Sequence, residues 1–376
     1  MRFLTADYLF PLNTTPIKEG VLQISDDGKV IAIFENRREV SQDKLEIFEG
    51  IICPGFVNAH CHLELSHLKG SAEKGKGFVE FSKIIRLRDN YTDSAKKQAI
   101  ENAEKEMISN GIVGVGDICN KVDTLEKKQK ENLTYYNFIE TFGVDLNNVD
   151  VIFNQAIELR NEFRVAGQKA SIVPHAPYSV PPVLMNKINN AFDKTDELLT
   201  IHMQETNEEN QLFENQDGAF FDWLNSINAT SSIWLNRNKP TDILQELSDK
   251  KVLLVHNTFA KKEDITDNYY CTCPRANLYI ENNLPDYSFF NSDKLCVGTD
   301  SLASNNSLSI LDELVIIQNN SNFDLNTLLK IACKNGAKAL GFNKLGTFGK
   351  GKIPGVNLIK NLDGLKFTAD CFIQVI

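Results

Sequence analysis

Apolar positions along the chain recur with two periods. Near the N-terminus residues 21–25 and 30–34 alternate apolar and polar, with Asp26-Asp27-Gly28-Lys29 between them, which predicts a small antiparallel hairpin. The last stretch, from Leu345, carries similar short apolar runs at 356–359 and 372–376, separated by Gly, Pro and Asp. Two such weak β segments at opposite ends of a chain can pair into one small sheet, because domain termini often lie close together. Between them, short buried runs alternate with helical stretches, the pattern of βα units on a parallel sheet. Eight candidate strands follow, at residues 51–62, 111–118, 133–141, 170–175, 198–204, 252–257, 270–274 and 295–300. The intervening helices include 94–109, with Ala95, Ala99, Ala103 and Met107 on an inner face. Another spans 325–340, with Leu328, Leu329, Ala332 and Ala339 inward. Eight units over roughly 290 residues predict an α/β fold of the (β/α)8 TIM-barrel type. The division is then 1–50 and 345–376 for a small β-sandwich domain built from both chain ends, and 51–344 for the barrel. An open doubly wound sheet is disfavoured because no Gly-rich phosphate loop follows the first strand.

In a parallel barrel the working residues come from the C-terminal ends of the strands. Five of the six histidines fall there: His60 and His62, His175, His202, and His256; Asp300 ends the eighth strand. Residues i and i+2 of a strand face the same way, so His60 and His62 both point inward. With His202 and Asp300 they make an N3O donor set suited to one divalent transition metal, zinc ahead of iron. Such an ion would lower the pKa of a bound water towards neutrality. Glu205, three residues past His202, is placed to move a proton between that water and a substrate, and His256 to orient it. Each histidine alone reads better as a packed residue at a strand end; the set together does not. His67 lies outside any strand end and is assigned no chemical role.

Composition limits the partners. The net charge is −10, with no dense basic stripe, which excludes nucleic-acid polymers. No apolar run approaches the roughly 20 residues needed to span a bilayer, so no membrane partner is expected. Eight scattered cysteines in apolar runs read as buried, reduced thiols of a cytoplasmic enzyme. The expected partner is a small molecule. Residues 75–90 follow the first strand and should lie over the barrel mouth; Phe78 and Phe81 offer an aromatic wall, Arg86 and Arg88 a carboxylate clamp. A surface helix with solvated arginines is the equal alternative. A second insertion, 207–240, carries Phe220, Phe221, Trp223 and Trp234 and reads as a helical cap.

The run Pro54-Gly-Phe-Val-Asn-Ala-His-Cys-His62 resembles the first-strand signature of the amidohydrolase superfamily. So do His202-x-x-Glu205, His256, and Gly298-Thr-Asp-Ser-Leu-Ala-Ser-Asn-Asn306. His175-Ala-Pro-Tyr178 is similar to the mononuclear-metal aminohydrolase branch, which holds guanine, S-adenosylhomocysteine and aminodeoxyfutalosine deaminases and the triazine hydrolases. The last of the deaminases is favoured by Gly218-Ala-Phe-Phe221 in the cap. No lysine able to bridge two metals stands at the fourth strand end, where His175 sits. The resemblance implies that hydroxide generated at the metal attacks a ring carbon and displaces ammonia from an aminated purine nucleoside or related heterocycle. His60, His62, His202 and Asp300 would hold the metal, Glu205 would protonate the ring nitrogen, and Asp300 with His256 would handle the water's proton. His175 and Ser304 match positions that touch substrate. Glu64 either contacts substrate or forms a structural ion pair. Hydrolysis of a cyclic amide, an imidazolone or a halogenated ring at the same site is the alternative enzyme reading, and a metal-free scaffold the third. A homodimer is expected by analogy.

Overall fold

The computed structural model describes residues 1–192, 198–229, 237–247 and 250–376. Eight parallel strands among them form two four-stranded sheets. The first holds β1 (Phe56–Cys61), β2 (Ile112–Cys119), β3 (Thr134–Thr141) and β4 (Lys169–Pro174) in sequential order. The second holds β5 (Leu198–Met203), β6 (Lys251–His256), β7 (Tyr269–Thr272) and β8 (Leu295–Val297), also in order. Sequential parallel pairing needs a crossover after each strand, and helices such as Asp93–Ser109 and Val149–Val165 supply it. The strands are buried along almost their whole length, hence their continuous Val, Ile, Leu and Phe content.

The two sheets meet at both edges. His202 N–H donates to His175 O at 2.9 Å beyond β4, and Thr299 and Asp300 N–H both donate to His60 O at 3.1 Å. Asp300 also bridges Cys61 in parallel register. One core runs through both sheets, including Phe56, Val115, Phe138, Ile172, Ile201, Leu254 and Val297.

The strand expected over 51–62 is two strands in different sheets. Ile51–Pro54 pairs antiparallel with Val356–Lys360, and only Phe56–Cys61 joins β2. Gly55 separates them at a close approach: a Cβ there would lie 2.4 Å from Val113 Cγ1. The segments from the two chain ends do meet in one five-stranded sheet, in the order Phe372–Val375, Val356–Lys360, Ile51–Pro54, Tyr8–Leu9, Ile17–Lys18. A four-stranded sheet contains the predicted hairpin, Val21–Ile24 with Val30–Phe34. Leu4, Leu22 and Ile24 from it share a core with Ile52 and Leu358.

Helix faces follow the 3.6-residue period with one correction. In Asp93–Ser109 the buried apolar stripe is Ile100, Ala103 and Met107, whereas Ala95 is exposed. Its first turn projects past the sheet, where Lys96 pairs with Asp89 instead. The segment 325–340 is helical, but residues Lys330–Asn335 form a π turn within it. Among the described residues no helix is long and apolar enough to cross a membrane.

Candidate active site

The C-terminal ends of the parallel strands converge on a few ångströms. From β1, His62 Nε2 lies 3.1 Å from His60 Nε2 and 3.2 Å from His202 Nε2, the last carried by β5. Asp300 Oδ1 is 3.5 Å from His60 Nε2 and 3.4 Å from His62 Nε2. His60, His256 and Asp300 form an overlapping ligand-sized group. All of these side chains are buried.

Backbone geometry aims them. Four residues that bring donor groups to the centre, or adjoin them, have left-handed φ: Gln204 at 48°, His256 at 68°, Asn257 at 51° and Asp300 at 56°. Such a conformation costs of order 1 kcal/mol for a residue with a Cβ and turns the side chain away from its strand direction. Gly298 lets the end of β8 press against β1, since a Cβ there would lie 2.7 Å from His60 O and 2.9 Å from His60 Cβ. Outer contacts fix the rings. His202 Nδ1 donates to His175 O at 2.9 Å, and His256 Nδ1 to Asn277 Oδ1 at 2.8 Å, so each Nε2 keeps its lone pair. Ser304 Oγ donates to Asp300 Oδ2, leaving Oδ1 towards the histidines.

Burial sets the protonation states. It takes the His62 imidazolium down to about 4 and the His202 imidazolium well below its usual value, so both rings are neutral near pH 7. Burial also raises the Glu205 carboxyl well above the usual carboxylate range, with the Asp300 charge adding to the rise. For Asp300 burial pushes upward but is outweighed by its hydrogen bond from His60 and the nearby imidazoles, which hold it below the usual range. Glu205 Oε1 lies 3.6 Å from His256 Nε2. One carboxyl that keeps its proton thus stands beside one that loses it, the environment-set division of labour of acid–base sites.

A cavity of about 550 Å³ opens above this centre. His62, His202, Glu205, His256 and Asp300 line its base, and Phe78, Phe81, Tyr178 and Trp223 much of its wall. His175 also lines it, with Nδ1 2.7 Å from Ser179 Oγ. Arg86 and Arg88 both reach it. Arg86 Cζ lies 5.5 Å from the Trp223 ring centre and has no carboxylate partner among the described residues, while Arg88 Nη1 donates to Asn120 Oδ1 at 2.9 Å. Ser304 and Glu64 are not on the cavity wall. Glu64 is buried behind it, accepting the Asn120 and Lys121 N–H groups at 2.9 and 3.2 Å, with Arg88 Nη1 3.9 Å away. His67 sits apart, against Arg88 O and the Tyr91 ring. Trp234 lies outside the described residues.

Three groups here were not singled out from the sequence. Glu140, at the end of β3, lines the cavity and puts Oε1 3.5 Å from His202 Nδ1; its signal was a carboxylate inside an apolar run ending a strand. Asp117 in β2 carries the same signal, and Asn277, partner of His256, had no distinguishing local pattern.

A family model described as the amidohydrolase family matches residues 51–371, most of the chain. The chain belongs to the amidohydrolase family. It is 26% identical over 340 residues to an aminodeoxyfutalosine deaminase of Nitratiruptor, covering 87% of this chain and 83% of that protein. It is 28% identical over 319 residues to an adenosine deaminase of Helicobacter pylori, covering 80% and 77%. The solved structure of Helicobacter pylori aminofutalosine deaminase in complex with methylthio-coformycin superposes with a TM-score of 0.83 at 24% identity, over 98% of this chain and 94% of that one. This amidohydrolase therefore shares its fold with that enzyme.

Proposed function

We propose that this amidohydrolase is a metal-dependent deaminase that hydrolyses an amino group from an adenosine-like nucleoside. The observation that carries the reading is the meeting of three imidazole Nε2 atoms and Asp300 Oδ1 at the base of the cavity, with Glu205 and His256 beside them. His62 and His202 are neutral, and His62 Nε2 lies 3.1 Å from His60 Nε2 and 3.2 Å from His202 Nε2, a crowding of ring nitrogens beside a carboxylate that a cation between them would satisfy. His60, His62, His202 and Asp300 therefore fit a single divalent transition ion, zinc ahead of iron. When bound, that ion supplies Lewis acidity that brings a water's pKa towards neutrality.

The protein's own groups do the rest. Glu205, kept protonated by burial, donates to the ring nitrogen next to the amino-bearing carbon as water adds there. Asp300, assisted by His256 Nε2, which the Asn277 contact frees, accepts one of the water's protons and returns it to the departing amine. The remaining hydroxyl proton passes to the Glu205 carboxylate and restores its acid form. Ammonia leaves and a ring carbonyl remains. His175 and Ser304 are proposed as further contacts, the first directly from the cavity wall and the second through Asp300. Glu64 acts through Arg88 and the Asn120 backbone.

The aromatic wall and the two arginines favour a nucleoside extended by an apolar group ending in a carboxylate, of the aminodeoxyfutalosine type. A relative bearing that name supports this choice. We further propose that the eight strands close as a (β/α)8 barrel over residues 56–344, with 1–54 and 345–376 as a small β-sandwich; the expected boundary at 51 moves because Ile51–Pro54 pairs with Val356–Lys360. Hydrogen bonds between β4 and β5 and between β8 and β1 support closure. The test is ammonia release by zinc-loaded protein across adenosine, S-adenosylhomocysteine, aminodeoxyfutalosine and guanine, alongside cyclic amides and chlorinated triazines. Release from the adenosine compounds is expected; activity confined to the amides or triazines overturns the reading.

A further inference from the structure

Asp117 and Lys128 form a fully buried ion pair that the chemistry above leaves unused. Asp117 stands on β2, and Lys128 in the short helix Leu125–Lys128 that follows it. The ammonium also donates to Asn137 Oδ1 at 2.7 Å and sits over the Tyr135 and Phe163 rings, at 5.1 and 5.3 Å from their centres. Replacing such a pair by apolar residues of similar volume is often neutral or stabilising, so stability alone does not account for it. What distinguishes this pair is its other end. Asp117 Oδ1 accepts the Leu63 N–H at 2.8 Å. Leu63 directly follows His62, where the chain leaves β1 (His62 ψ 76°) and enters the 3-10 helix Leu63–Leu68 with no side-chain cap. A helix start leaves its first N–H groups without partners, and Asp117 supplies an acceptor for one from the neighbouring strand, where it stands in register with Cys61.

We infer that Asp117 is a positioning residue for His62: its Oδ1 fixes the turn at Leu63 that aims His62 Nε2 at His60 and His202. The inference rests on His62 as a metal ligand. Removing such an outer partner typically lowers metal affinity about 10–100-fold. Zinc affinity, measured by competition with a chelating dye on metal-free protein, and the melting temperature of the same samples separate the cases. In D117N/K128M the amide oxygen still accepts from Leu63 N–H, and affinity should stay within about threefold of wild type, well inside the loss expected for a missing outer partner. In D117L/K128M the acceptor is gone and the volume kept; affinity should fall at least about tenfold while melting shifts by only a few degrees. Equal affinity in both variants overturns the inference, as does a D117L/K128M protein that loses its fold, since the pair then serves the core at large. A wild-type protein that binds no zinc overturns the metal reading itself, and the inference with it.

Discussion

At Glu205 burial, not sequence neighbourhood, decides the chemistry. A carboxyl near the protein surface is ionised at pH 7, but this one is enclosed beside Asp300 and holds its proton well above the usual range. Glu205→Gln keeps the ligand set intact, so zinc stoichiometry should remain that of wild type while turnover falls about 10³-fold, within the span of lost general acid–base catalysis. Turnover of the wild type should decline as pH rises through the raised Glu205 pKa, because only the protonated form donates. A near-normal rate in the Glu205→Gln variant would sink the proton transfer. The histidines were legible because strand geometry converts an i, i+2 spacing into a shared direction, and scarcity made five strand-end histidines conspicuous. The contacts of Asn277 and Asp117 were not. An amide that orients His256 from 21 positions away, or a carboxylate that reaches Leu63 from 54 positions away, acts only after the fold has juxtaposed them.

At the scale of elements, the two insertions meet over the cavity. Phe78 in the helix Phe78–Ile85 packs its ring edge-on against Phe220, in the helix Gly218–Ser226, at 5.4 Å between centres; Arg86 lies over Trp223. Their aromatic content predicted a cap, but the register that brings Arg86 onto Trp223 depends on how two separate segments dock, which local periodicity does not encode. The break of 51–62 was missed for a different reason. Both halves are buried runs, and the mark of the passage from one sheet to another is the Pro54-Gly55 dipeptide, a turn signal that the reading of one continuous strand passed over. With its guanidinium face on Trp223 and no carboxylate partner among the described residues, Arg86 is the arginine free to take an anion; Arg88 is already engaged by Asn120. Arg86→Ala should raise KM about tenfold for a carboxylated nucleoside, the value of one charge-assisted contact, and leave adenosine within about twofold. Steady-state kinetics on the two substrates decide it: equal losses on both assign Arg86 to packing of the cap.

Over the whole molecule, several carboxyls are buried with raised pKa values, and this sets how stability responds to pH. Burial takes Glu64 to about 7 and both Glu209 and Glu313 to about 8. In the unfolded chain all three lose their protons near the ordinary carboxylate value. Between that value and the raised ones the folded protein binds more protons than the unfolded chain, so unfolding becomes easier as pH rises. The buried histidines work the other way: His62 is neutral in the fold down to about pH 4, and its contribution is gained as pH climbs through the unfolded histidine value. About one pH unit above the ordinary histidine value that gain is nearly complete; the groups still in play are the carboxyls and, towards pH 9, buried thiols such as Cys119 and Cys296, which burial raises and which act in the same direction. The melting temperature of metal-free protein should therefore fall by about 3 °C or more from pH 7.5 to pH 9. Metal-free protein is the right sample, because metal affinity carries its own pH dependence. Glu313→Gln removes one of the titrating groups, where its oxygens accept from Arg275 N–H and Asn305 Nδ2, and the slope should become shallower. A melting temperature that is level or rising over that interval would show that these carboxylates are ionised in the fold at no cost.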